Sequence, residues 1–221
     1  AGSVRARDAR RSGDVAAKYA KGSKIRLTQT TAKYFYVVSS TFAVTNTTVT
    51  ITGGTDYTLA NAAITSPSYS YAVTPQGFPQ WFSFTPTWTG SGSNPAIGNG
   101  TLKGGFSISG KTVTMQAQVI MGNSTTYGTG DWYLDGPVPA STRIMSVTNR
   151  GIIGLWEGTN QGVASYAALA GFFSVPATPR IGFKFHSTGA SGRYDTNIGT
   201  TQPFTWGDTD SFYASVTYEM E

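Results

Sequence analysis

The chain has 221 residues, enough for one or two domains with a real core, and only 12% are charged, against about 25% in an ordinary soluble domain. There is no cysteine, which excludes disulfides and cysteine-bound zinc. The net charge of +5 belongs to one end: residues 1–33 carry nine Lys/Arg against Asp8 and Asp14, net +7, whereas the remaining 188 residues sum to −2. Aromatic residues make up 13%, ample apolar area to bury, so disorder is not expected. No apolar run approaches the roughly 18 residues of a membrane span, and the basic start lacks the apolar segment of a signal peptide.

In chain order, residues 1–23 read as a short basic N-terminal arm. Ala16, Ala17, Lys18 and Ala20 favour helix, while Gly13 argues against one long helix. Arg5, Arg7, Arg10, Arg11 and Lys18 are the candidates for docking this arm on an acidic partner. Nucleic acid is set aside, because no aromatic-interleaved basic face accompanies the charges.

Residues 24–59 change character. Lys24 to Thr28 alternates, Lys33 to Val38 is aromatic and β-branched, and Val49 to Thr52 ends at Gly53-Gly54. These predict about four short strands in a small sheet or barrel. Pro67, Pro75, Gly77 and Pro79 mark residues 60–80 as a connector. The module and its connector together span 24–80.

Residues 81–221 predict an antiparallel β-sandwich, jelly-roll-like, so the fold class is all-β. Its candidate strands are Phe82–Trp88, Thr101–Ile108, Thr112–Met121, Asp131–Leu134, Ile144–Leu155, Ser165–Phe173, Arg180–Phe185 and Phe212–Glu219. The stretches SGSNPAIGNG, GNSTTYGTG and STGASGR read as turns between them. Val113, Met115, Ala117, Val119 and Met121 alternate onto one face, as do Phe212, Ala214, Val216 and Tyr218.

Three runs resemble tail-associated proteins of bacteriophages and prophages. TDYTLANAAITSPSYSYAVTPQGFPQWFSFTPTW (55–88) is similar to a recurrent connector of that family. GNGTLKGGFSISGKTVTMQAQVIMGNSTTYGTGDWYLDGPVP (98–139) is similar to the opening of its C-terminal β-sandwich, with a short Gly-Lys turn and a Gly-aromatic-Leu-Pro stop. PFTWGDTDSFYASVTYE (203–219) resembles the closing hairpin. The resemblance covers residues 24–221 and rests on structural turns, not on chemistry. It implies a tail fibre or tip protein of the virion, assembled in the host cytoplasm, with other tail subunits as partners, commonly a homotrimer, and a role in recognising a glycan or protein on the host surface. The alternatives are a head or tail decoration protein without a receptor, and a carbohydrate-binding module or small glycan hydrolase.

The residues point away from an enzyme. The one histidine, His186, sits at a predicted strand end, with no nucleophile elbow beside it. No metal-ligand spacing occurs, and no cofactor is expected. Asp208 and Asp210 read as turn residues, short of the ligand count of a calcium loop. Glu157 and Asp195 pair as glycosidase carboxylates only if the fold joins them. Surface recognition remains. Tyr127, Trp132, Tyr133, Trp156, Tyr166 and Tyr194 lie in or beside Gly-rich turns and are the candidates for a receptor- or glycan-contacting surface. The plainer reading, favoured for each ring taken singly, is packing in the core or at a trimer interface. Trp88 and Trp206 read as core or strand-edge rings.

Overall fold

The computed structural model describes residues 2–6, 14–139, 153–160, 164–168, 172–175, 178–189 and 192–220. The described chain is all-β with antiparallel sheets and a single 3-10 turn at Ala16–Tyr19. No described helix is long and apolar enough to cross a membrane. The chain divides into two compact units: residues 1–84 with 106–113, and residues 85–105 with 114–221.

The first unit is built on β1 (Gly2–Ala6), β2 (Lys24–Gln29), β3 (Thr31–Ala43), β4 (Asn46–Thr52) and β5 (Thr65–Ser70), ordered β1-β4-β3-β2-β5. Successive side chains of a strand point to opposite faces. Ile25, Leu27, Phe35, Val37, Val49 and Ile51 therefore share one face and form a buried cluster, covered by Tyr19, Tyr57 and Leu59. On the opposite face Tyr36 meets Phe78 and Phe82 with ring centroids 5.2 and 5.1 Å apart, and Phe82 lies 5.8 Å from Phe106. Apolar burial at roughly 25 cal/mol per Å² makes these two aromatic-aliphatic layers the main favourable contribution to this unit.

Two expectations change here. The arm is not wholly separate, because β1 pairs with β4 with Val4 opposite Val49 and Arg5 opposite Thr48. An extended GSVRA segment satisfies the open hydrogen-bonding edge of β4. Residues 60–80 are not all connector either, because β5 pairs with β2 despite Pro67. β5 is an edge strand, the position in a sheet that tolerates proline.

The run Phe82–Trp88 is two strands rather than one. β6 (Phe82–Phe84) and β7 (Thr87–Gly90) lie in different sheets, with Pro86 between them. Proline has no N–H to donate, so the ladder stops there.

The second unit carries β8 (Thr101–Ser109), β9 (Thr112–Ile120), β10 (Trp132–Asp135), β11 (Ile153–Asn160), β12 (Ala164–Ala168), β13 (Phe172–Val175), β14 (Thr178–Gly189), β15 (Gly192–Asn197) and β16 (Ser211–Glu219), the tip of β8–β9 grouping with the first unit. One sheet runs β13-β14-β10-β7 with β15 on β14, and the other runs β12-β11-β16-β9-β8-β6. Met115, Ala117, Val119 and Met121 are buried, as are Phe212, Ala214, Val216 and Tyr218, so both predicted alternations hold. Phe183 of β14 meets Phe212 of β16 edge to face at 5.0 Å, which brings the two sheets together. The predicted strand 165–173 is two strands, β12 and β13. β15 is an addition to the predicted strands, and its start falls in STGASGR, whose small residues read as a turn. The predicted strand residues 144–152 lie outside the described residues.

Candidate functional site

Two loops of the second unit, SGSNPAIGNG (91–100) and GNSTTYGTG (122–130), contain no charged residue and lock together. Their middles form a two-residue bridge, Ala96 N–H to Thr126 O at 2.8 Å and Thr126 N–H to Ala96 O at 2.9 Å. On one side Asn99 and Ser124 bind reciprocally. The Asn99 N–H donates to Ser124 Oγ at 2.9 Å, and the Ser124 N–H donates back to Asn99 Oδ1 at 3.1 Å. Asn99 Nδ2 donates to Asn123 Oδ1 at 3.0 Å. On the other side the Ser93 N–H donates to Thr129 Oγ1 at 2.8 Å, and the Thr129 N–H returns to Ser93 O at 3.0 Å.

Gly128 makes the close approach possible. Its φ is +60°, and a Cβ there would lie 2.2 Å from Ser93 O. Only glycine fits both the left-handed backbone and the contact. A third stretch joins in, where Thr200 Oγ1 donates to Gly128 O at 3.2 Å.

Beneath the loops sits a tryptophan stack. Trp132 meets Trp88 at 4.8 Å and Trp206 at 5.1 Å between centroids, and its indole N–H donates to Tyr127 O at 3.0 Å. Trp88 and Trp206 are core residues, as read from the sequence. Tyr127 is half-buried and stacks on Trp132 at 6.4 Å. Burial raises its phenol pKa, with the charges of Asp210 and Asp208 adding to the rise, so it presents a neutral hydroxyl at physiological pH.

The six candidate aromatic residues therefore separate. Trp132 and Tyr133 are 3% and 7% exposed, so they support the surface from below and are corrected from contact residues to core. Both fall on β10, a central strand flanked by β7 and β14, where either face of the sheet is buried. Tyr127 alone of the described rings lies within the loop surface. Trp156, Tyr166 and Tyr194 occupy backbone positions on β11, β12 and β15, and their side chains lie outside the described residues. Arg7, Arg10 and Arg11 also lie outside them, as does the side chain of Arg5. Lys18 is exposed on the 3-10 turn. Glu157 and Asp195 fall in different sheets, on β11 and β15.

Exposed Ser93, Asn99, Asn123, Ser124 and Thr129 are the residues that sequence reasoning passes over as parts of flexible turns. The available signal is the shared Ser/Thr/Asn/Gly composition of two loops of nearly equal length. Such a surface offers hydroxyl and amide groups in fixed positions, the chemistry suited to a polyhydroxylated, uncharged ligand. Asp210 keeps its turn role: its carboxylate accepts the Gly207 N–H at 2.6 Å. Among the described residues no group of three or more His, Asp or Glu gathers to hold a metal. No protein-family model, curated protein or solved structure matches the chain.

Proposed function

We propose that the chain is a structural subunit of a bacteriophage tail, in a fibre or tip, and that the second unit presents its interlocked loops to the host surface. The sequence resemblance supplies the context. The observation that carries the recognition role is the reciprocal pinning of loops 91–100 and 122–130 through Asn99–Ser124 and Ser93–Thr129. Loops held in one conformation before binding lose little entropy on binding, so a polar surface of modest area reaches useful affinity. The subunit acts as a homotrimer alongside other tail proteins. This arrangement multiplies weak single contacts into firm attachment.

The test has two parts. Light scattering over a wide concentration range reads the native mass, and a trimer is expected. An array of bacterial surface glycans probed with the full chain reads recognition, and binding is expected to fall in the Tyr127→Ala variant. Binding that leaves Tyr127→Ala unaffected removes the loop surface from the proposal. A chain that binds no surface glycan or host-cell preparation acts as a decoration protein instead.

A further inference from the structure

An exposed aromatic surface of the first unit lies on the edge strand β5 and the residues after it. Tyr69, on β5, is 43% exposed and Tyr71, just past the end of the strand, is 59% exposed. Tyr69 stands opposite Ile25 across β2–β5, on the face that Tyr19 covers. Tyr71 is two residues further along. The three tyrosines touch edge to face, Tyr19–Tyr69 at 6.1 Å and Tyr69–Tyr71 at 5.5 Å between centroids. The Tyr71 hydroxyl donates to Lys18 O at 2.8 Å, which ties β5's extension to the 3-10 turn. The Lys18 ammonium sits 5.0 Å from the Tyr69 ring centroid. Asp14 is the single acid among residues 14–33, against Lys18, Lys21, Lys24, Arg26 and Lys33.

We propose that Tyr69, Tyr71 and Lys18 form a binding site for an acidic polysaccharide bearing uronate groups. Tyrosine rings held by their neighbours offer flat apolar faces at low entropic cost, which suits stacking against the apolar face of a pyranose. The ammonium beside them supplies the partner for a sugar carboxylate. Strand addition by a polypeptide is disfavoured at this edge. Pro67 removes a donor in the middle of β5, and Ser66 at φ +48° breaks the extended run. The recognition therefore runs through side chains. This site is distinct in chemistry from the uncharged loops of the second unit and does not depend on their role.

The experiment is calorimetric titration of the full chain with polygalacturonate, with dextran as the neutral control and polyglutamate as the acidic polypeptide. Polygalacturonate is expected to bind, and dextran and polyglutamate are not. Tyr71→Ala is expected to weaken binding by roughly tenfold, the effect of one well-placed ring. Tyr71→Phe, which keeps the ring and loses the hydroxyl, is expected to retain most of it. Lys18→Gln is expected to lower the affinity and flatten its salt dependence. Circular dichroism checks that each variant is folded. Absence of polygalacturonate binding overturns the proposal. So does equal binding of polyglutamate with no loss in Tyr71→Ala, which would make the surface a charge-driven protein contact. Gly128→Ala, placed in the second unit, is expected to leave this titration unchanged while altering the glycan array.

Discussion

The buried indole N–H of Trp132 donates to the backbone carbonyl of Tyr127 at 3.0 Å, so a core residue sets the position of the most prominent ring of the loop surface. Trp132→Phe keeps an aromatic ring but withdraws the donor. The expected cost is about 1–3 kcal/mol, from an undersatisfied carbonyl and a smaller ring in the stack. Urea denaturation measures this cost. Hydrogen exchange is expected to quicken across residues 122–130 well before the rest of the unit opens.

A pair of alanine substitutions separates backbone strain from steric conflict. Gly77 has φ +75° and open space, with no atom within 4 Å of where a Cβ would stand, whereas Gly128 has φ +60° and the Ser93 carbonyl 2.2 Å away. Gly77→Ala is expected to cost about 1 kcal/mol, the strain of a left-handed alanine. Gly128→Ala adds the displacement of Ser93 and is expected to cost about 2–4 kcal/mol. Thermal melts of the two variants against the parent give the comparison. Equal losses would show that the loops yield freely.

Asp135 reports on pH. Burial raises its carboxyl pKa, and Arg180, directly across the strand pair, opposes the rise only in part. One of its oxygens is buried with no hydrogen-bond partner. The folded state therefore holds this proton at a pH where the unfolded state, near about 3.9, has released it. Stability from this group is gained as pH falls through the folded pKa and is lost on ionisation above it. Asp135→Asn is expected to raise the melting temperature at neutral pH. It is also expected to flatten the pH dependence that sets in above about pH 4, where the unfolded carboxyl has released its proton. A lower melting temperature at neutral pH would mean that the attraction of Arg180 outweighs burial.

Tyr218 governs the alkaline limb. Its hydroxyl donates to Val138 O at 2.8 Å in the interior, and burial pushes its pKa far above the usual tyrosine value. The unfolded chain ionises near about pH 10 while the folded chain keeps the proton, so stability falls as pH rises beyond that point. Tyr218→Phe is expected to lose about 1–2 kcal/mol at neutral pH from the unpaired carbonyl. The same variant is expected to unfold less steeply above pH 10. Denaturation midpoints at neutral and alkaline pH check both parts.

The all-β class was legible because alternation survives in single strands. Met115 to Met121 and Phe212 to Tyr218 each bury one face and solvate the other, a pattern that a one-residue slip would invert. Chain order misled where pairing is non-local. Phe82–Trp88 reads as one strand, and only the sheets show that Pro86 sends its halves to different partners. Two of the six candidate rings proved to be buried for a related reason. Trp132 and Tyr133 follow a Gly-rich turn, which suggests exposure, yet they enter a strand with neighbours on both edges.

The sequence by itself determined the secondary-structure class, the buried faces of β9 and β16, the uncharged character of the Gly-rich loops and the basic bias of the first 33 residues. These follow from local period and composition, which are set residue by residue. Tertiary structure alone decided that Ser93 meets Thr129, that Asn99 meets Ser124, and that Lys18 settles beside Tyr69. Each of those contacts joins residues more than twenty positions apart. Their closure depends on which strands pair, and no local preference of either partner specifies that.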